Sequence, residues 1–360
     1  MHFRHFCHLT VRYNRSKKQL HLQRESIPMH VFTKKRRAPE RVLWLRALLM
    51  SSIVFSVTPV WSKPLPTGFY ELRPYGDTIT AVTKSMAWSR PDIAGVAIRV
   101  FWNSIQPSSS SAYDWSYIDA VAALAAKYGK NCSINVTGGI EAPAWVYADG
   151  PDGSGSGKFT LSGGTAHGTM PEPWDANFQR RWSAFLIELA NRYDASSSLS
   201  YVIVTGQGWG GQANLCESQA DNKELNNDGG VTVWIQSFIS IVGLYVSHFV
   251  QTPLMVNIGA PIYPHQLGGF ETASNQCVAT YGNRYGIKSN ALSTNFKTTN
   301  WQAAEIKALS ASHPVGFQML FPSKTRAELV QAIKTNESVG SDLFEVYPSD
   351  LDLVSNFSSL

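Results

Sequence analysis

The sequence predicts a (β/α)8 barrel over residues 63–360, preceded by a leader, residues 1–62, that does not read as fold. Two observations carry the prediction. From residue 67 onward, short β-branched runs ending in Gly, Pro or Asn alternate with longer runs whose apolar residues recur at i, i+3, i+4 and i+7. The short runs number eight, and each is too apolar to keep a wet face. Strands without a wet face belong to a parallel sheet covered by helices, and eight such strands close a barrel. The alternative, a doubly wound open sheet binding a dinucleotide, lacks a G-x-G-x-x-G after its first strand.

The leader comes first. Residues 1–62 hold twelve Lys/Arg against two acids, Glu25 and Glu40. The basic run "KKRR" precedes "ALLMSSIVFSVTPVWS", which is shorter than the ~20 apolar residues a membrane span needs. A basic region, a short apolar stretch and a polar start describe a secretory signal, with Val60 and Ser62 before a cut at Lys63. The protein is therefore expected to be secreted or periplasmic, touching a membrane only through this segment. The remaining 298 residues carry 19 Lys/Arg against 24 Asp/Glu, a net charge of −5, so the basic balance of the whole chain belongs to the leader. Nothing in the acidic remainder asks for nucleic acid. No other 18-residue apolar run is evident in the sequence.

The expected strands are 67–72, 95–102, 132–139, 200–206, 253–259, 289–295, 315–321 and 342–348. Between them lie helical patterns such as "SYIDAVAALAAKYG", "NFQRRWSAFLIELANRY", "VWIQSFISIVGLYVSHF" and "TRAELVQAIKTN", several opening on Ser, Asp or Thr caps. The Gly- and Ser-rich stretch 149–168 reads as a long flexible loop after the third strand, either a functional loop at the active end of the barrel or a surface insertion. Cys216 and Cys277 lie in loop-like sequence and are candidates for a disulfide. Cys132 sits in an apolar strand and reads as core. No C-x-x-C and no His/Asp/Glu cluster with ligand spacing is present, so neither a metal nor another cofactor is implied.

Function in such a barrel sits at the carboxyl ends of the strands. Those ends supply Glu71, Trp102 and Asn103, then Glu141 and Trp145. The fourth gives Gln207, Trp209, Gln212, Asn214 and, further out, Glu217. The later ones give Asn257, Asn295 and Gln318, then Glu345, Tyr347 and Asp350. Amides and aromatics dominate and charges are few. Aromatic faces stack on sugar C–H faces, and amides and carboxylates bond hydroxyls. Phosphate would ask for concentrated Lys and Arg or a Gly-rich helix start. Carbohydrate is the ligand class that remains.

Several segments carry a family resemblance. "GVAIRVFWNSIQPSSSSAYDWSYIDAVAALAAKYGK" resembles the second strand and helix of retaining glycoside hydrolases built on (β/α)8 barrels. "GGIEAPAWV" resembles their third-strand loop, and "FQRRWSAFLIELANRYD" the helix after it. "GFQMLFPS…LFEVYPSDL" is similar to the last two strands of β-galactosidase-like and cellulase-like barrels. The resemblance runs in outline over residues 67–352. It implies an acid/base glutamate at the end of strand four and a nucleophilic glutamate at the end of strand seven. The matching positions here are Gln212 or Asn214, and Gln318. An amide can neither protonate a leaving oxygen nor form a glycosyl ester.

If hydrolysis survives, it needs another carboxylate pair, drawn from Glu345, Glu217, Glu141 and Glu71. Glu345 stands in an apolar strand, where an unpaired carboxylate is costly. Glu71 is its neighbour around a closed barrel, and the two make the least conventional and most testable carboxylate pair. Glu141 is expected at the mouth, or else capping the Gly-rich turn or bound to Arg99, which reads as a structural or orienting cation. Trp102, Trp145 and Trp209 are the sugar-stacking candidates, with Asn103, Gln212, Asn214, Gln318 and Tyr347 as hydroxyl-bonding partners. His167 reads as solvated. The expectation is a glycoside hydrolase with an atypical carboxylate pair; the rival is a barrel that has lost hydrolysis and serves as a glycan-binding or export-system component.

Overall fold

A computed structural model describes residues 63–150, 153–163 and 166–360. The leader read over residues 1–62 lies outside them. In chain order the strands are β1 (Gly68–Leu72), β2 (Ile93–Phe101), β3 (Asn131–Thr137), β4 (Lys158–Leu161), β5 (Gly168–Pro171), β6 (Leu199–Val204), β7 (Leu254–Asn257), β8 (Gly286–Leu292), β9 (Val315–Met319) and β10 (Leu343–Val346). Eight of them close a parallel barrel in the order β1-β10-β9-β8-β7-β6-β3-β2, with β1 pairing both β10 and β2. With helices between successive strands, this is a (β/α)8 barrel.

Seven barrel strands fall within two residues of their expected bounds at either end; the sixth, β8, begins three residues earlier than expected. Its first half holds Lys288, a charge that argues against a strand until its partner across the barrel is known. Asn295, expected at that strand's end, lies beyond it, and Asn290 takes its place. Part of the stretch 149–168 is strand rather than loop. β4 and β5 form an antiparallel hairpin in which Phe159 faces Met170, both buried.

Two apolar layers hold the barrel. Inside it, Tyr70, Leu72, Ala97, Tyr201, Ile203, Met255 and Leu343 pack together. Outside, the helix Ala176–Tyr193 shows how the second layer arises. Asp175 caps it by accepting the Phe178 N–H at 2.7 Å, and Phe178, Trp182, Phe185, Leu186 and Leu189 turn one stripe inward. Each such side chain, fully buried, contributes roughly 1.5–3 kcal/mol. The helix stops at Asp194, whose carboxylate accepts the backbone N–H groups of Val250, Gln251 and Thr252 and so ties the helix end to the turn before β7.

Three expectations change here. The helix Gly230–His248 is long and apolar enough to cross a membrane, with a mean hydropathy of 1.5, so a second apolar run does exist. Its Trp234, Phe238, Ile241, Val242 and Tyr245 are buried within the barrel's outer layer. Cys216 and Cys277 are not bridged: with Cys132 they are free, buried thiols, and burial pushes all three up from their ordinary value. Trp102 is no ligand platform. β2 ends at Phe101, and Trp102 opens a short helix that turns it outward, fully buried among Trp145, Trp182 and Phe185.

Candidate ligand site at the barrel mouth

Alternate strand residues face the barrel interior, so its mouth is built by the last inward positions of each strand. These are Arg99 on β2, Asn135 on β3, Asn257 on β7, Asn290 on β8 and Gln318 on β9. With Tyr75, the loop Trp209–Gln212 and Leu320 they line a cleft of about 220 Å3. A second cleft, also about 220 Å3, shares Gln212, Asn290 and Leu320 with it and adds Asn214, Ser289, His265 and Gln302. Among the described residues no carboxylate lines either cleft.

The glycines of "GQGWGG" are explained by this geometry. Gly206 leaves β6 at φ +101°, where a side chain would strain the backbone. A Cβ on Gly211 would lie 2.6 Å from the Tyr75 hydroxyl and 2.9 Å from Asn135 Nδ2, so only a glycine lets the loop approach the cleft floor.

Three amide oxygens of lining residues are buried without a protein partner. Asn257 Nδ2 donates to the Gly211 carbonyl at 2.7 Å, which fixes the amide and leaves Oδ1 free. Asn135 Oδ1 and Asn290 Oδ1 are buried and equally unpaired. An unmet buried acceptor costs roughly 1–3 kcal/mol.

Arg99 lies under this ring of amides. Its Nε donates to the Arg73 carbonyl at 2.9 Å, and its guanidinium sits 4.7 Å from the centre of the Tyr75 ring. Tyr75 in turn stacks on Phe101, 4.9 Å away and within 2° of parallel. The expected Glu141–Arg99 contact does not form. Glu141 accepts instead from Asn103 Nδ2 at 3.0 Å, so these two expected site residues hold one another.

The expected Glu71–Glu345 pair does not form either. The two strands are neighbours, as expected, but Glu345 is in register with Tyr70 and Glu71 with Val346. Successive residues point to opposite faces, so Glu345 looks into the barrel and Glu71 away from it. Glu71 is buried and bound by Arg73 and by the Ser85 hydroxyl. Glu345 is buried too, accepting from Tyr201 at 2.7 Å and ion-paired with Lys288. Lys288 also reaches Gln318 Oε1 at 3.4 Å. Burial lowers the Lys288 pKa and the charge of Glu345 opposes that shift.

Around the rim, Trp209 is half-buried rather than exposed. Its indole N–H donates to Glu217 at 2.9 Å, and Glu217 is only 8% exposed. Gln212 accepts from Asn214 Nδ2 at 3.0 Å, and Asn214 Oδ1 accepts the Ala260 N–H. Trp145 donates to the Gln106 carbonyl and lies against Trp102, away from both clefts. The Tyr347 hydroxyl meets the Leu320 carbonyl at 3.4 Å behind the lining. Gln207 is buried, its carbonyl accepting from Trp234, and Asp350 caps the Tyr347 and Ser323 N–H groups. His167 is exposed, as expected. The structure thus brings Trp209, Gln212, Asn214, Asn257 and Gln318 to the mouth and leaves Trp102, Trp145, Glu71 and Gln207 out of it.

Sequence reasoning missed Tyr75, Asn135, Lys288 and Asn290, and gave Arg99 the wrong partner. Tyr75 follows the first strand by three residues in "ELRPYG", and an aromatic just past a strand end was the available signal. Phe321, 69% exposed immediately after Leu320, is a further aromatic beside the clefts. No group of three His, Cys, Asp or Glu residues that could hold a metal occurs among the described residues.

Fold and cleft together define a (β/α)8 barrel with an acid-free, amide-rich opening at the carboxyl ends of its strands. No protein-family model and no curated protein matches the chain. Among solved structures, an exo-β-1,4-mannosidase (Op5Man5) from Opitutaceae bacterium strain TAV5 is similar at 12% identity and a TM-score of 0.44. The alignment covers 78% of this chain and 51% of that one, so this chain spans about half the mannosidase's length. The barrel assignment itself rests on the strand order and register.

Proposed function

We propose that this protein binds carbohydrate in the mouth of its barrel without hydrolysing it. The observation that carries the reading is the lining: amides, one arginine and two aromatic rings surround the cleft, and no carboxylate does. Glycoside hydrolysis needs two carboxyls astride one sugar, about 5–5.5 Å apart with retention and about 6.5–9.5 Å with inversion. Glu345 is engaged by Lys288 and Tyr201, and Glu71 by Arg73 and Ser85. Amide side chains, by contrast, suit sugar hydroxyls, and the Trp209 ring suits a sugar's apolar face. Two clefts that share residues fit adjoining sugar units. The basic, apolar leader supports export as the route to such a ligand.

The test is calorimetry together with a reducing-end assay, using the full chain and a panel of neutral and acidic oligosaccharides. Binding without turnover is expected. Trp209→Ala should weaken that binding at least about tenfold, the loss typical of an aromatic anchor. The hydrolase reading keeps one observation, the buried Glu217 beside Trp209. Turnover that disappears in Glu217→Gln would restore that reading and remove this one. A panel with no binder at all would end the carbohydrate reading.

A further inference from the structure

Arg99 gives the cleft a charge preference. Resting on the carbohydrate reading above, we propose that the sugar is acidic: a hexuronate unit whose carboxylate pairs with the Arg99 guanidinium while its hydroxyls donate to the cleft amides. Arg99 is half-buried on the cleft wall, and among the described residues no acid pairs with it. The other two cations in this part of the molecule are compensated, Arg73 by Glu71 and Asp77, and Lys288 by Glu345. The acids whose fields reach Tyr75, Glu345 and Glu141, are held by Lys288 and by the Asn103 amide. Arg99 also borders a neighbouring cleft lined by Asp77 and Asp114. Asp77 is held by Arg73 and Tyr117, and Asp114 accepts the Ser116 N–H, so the positive charge in the mouth cleft has no ion-pair partner.

The group is also held in place. Nε is fixed on the Arg73 carbonyl and the guanidinium plane rests by the Tyr75 ring, which is itself stacked on Phe101. Arg73 is held by Asp77 at 2.8 Å and by Glu71, so the carbonyl that anchors Arg99 belongs to a restrained residue. The two terminal nitrogens remain for a ligand, and a guanidinium presenting two parallel N–H groups matches a carboxylate.

The remaining lining suits hydroxyls beside that charge. The carboxamides of Asn135, Asn290, Gln212 and Gln318 each carry both donors and an acceptor, as a sugar hydroxyl does, whereas a bare anion would use the donors alone. A ligand carrying hydroxyls and one carboxylate meets both demands.

The test is calorimetry on the full chain at low salt, comparing trigalacturonate, triglucuronate and trimannuronate with their methyl esters and with the neutral hexose trimers. At least one free acid should bind about tenfold or more tighter than its own ester, as expected for a charged hydrogen-bonded pair. Arg99→Met should close that gap, and Arg99→Lys should keep part of it. If the arginine variants do not fold, the acid-to-ester ratio in the native protein decides alone. Equal binding of acid and ester, or tighter binding of a neutral trimer, overturns this inference and leaves the carbohydrate reading standing. Inorganic phosphate or sulfate binding as tightly as the uronide would make this a plain anion site and overturn it as well. Failure of every sugar to bind ends both.

Discussion

Lys288 and Glu345 meet inside the barrel although 57 residues separate them in the chain. Both are almost fully buried, at 1% and 2% side-chain exposure, so each is tolerable only because of the other. Lys288→Met should cost about 3–5 kcal/mol in urea unfolding, because it strands a buried carboxylate. Lys288→Met with Glu345→Gln should recover more than half of that loss, since the pair's net worth over neutral residues is small. If the double variant is no better than the single one, the pair is not what holds this layer. The same residues show how far a sequence can be read. A glutamate in an apolar strand implied that Glu345 was paired or functional, but nothing local named Lys288, one residue before the expected sixth strand, as its partner.

At the scale of the element, the helix Ala176–Tyr193 is defined at both ends by carboxylates. Asp175 caps its start, and Asp194 collects three N–H groups from the turn before β7. Asp194→Asn keeps the shape and loses the charge, and should destabilise the protein by about 2–3 kcal/mol in urea unfolding. A loss below 0.5 kcal/mol would mean the turn is held by its packing instead. The helix itself was legible from its i, i+3, i+4 pattern and its Asp cap. The clasp to the turn was not, because nothing local in "NRYDASSS" names residues 250–252 as its target.

For the whole molecule, the buried phenols and thiols set an alkaline limit. Burial pushes Tyr70 from 10.0 up to about 12, moves Tyr201 and Tyr285 well above their ordinary value, and takes Cys132 and Cys216 from 9.0 up to about 12. Each folded value exceeds the unfolded one, so above the unfolded value the unfolded chain holds fewer protons than the native one. The stability these groups carry is complete below pH 9 for the thiols and below pH 10 for the phenols, and it is lost as the pH rises toward 12. In a titration followed by phenolate absorbance and circular dichroism, these tyrosines should ionise together with loss of structure. Ionisation with the circular dichroism intact would show that the barrel interior admits hydroxide.

The sequence by itself determined the alternation of strand and helix and the parallel barrel. Those follow from local periodicity and residue type, which need no knowledge of what lies across the chain. Only the tertiary structure decided which side chains share the mouth. Register with β10 put Tyr70 rather than Glu71 on the inner face beside Glu345, and the end of β2 at Phe101 turned Trp102 into the outer core. The two faces of a strand differ by one residue, so a side chain's place in or out of the cleft depends on pairing that closes only when all eight strands meet.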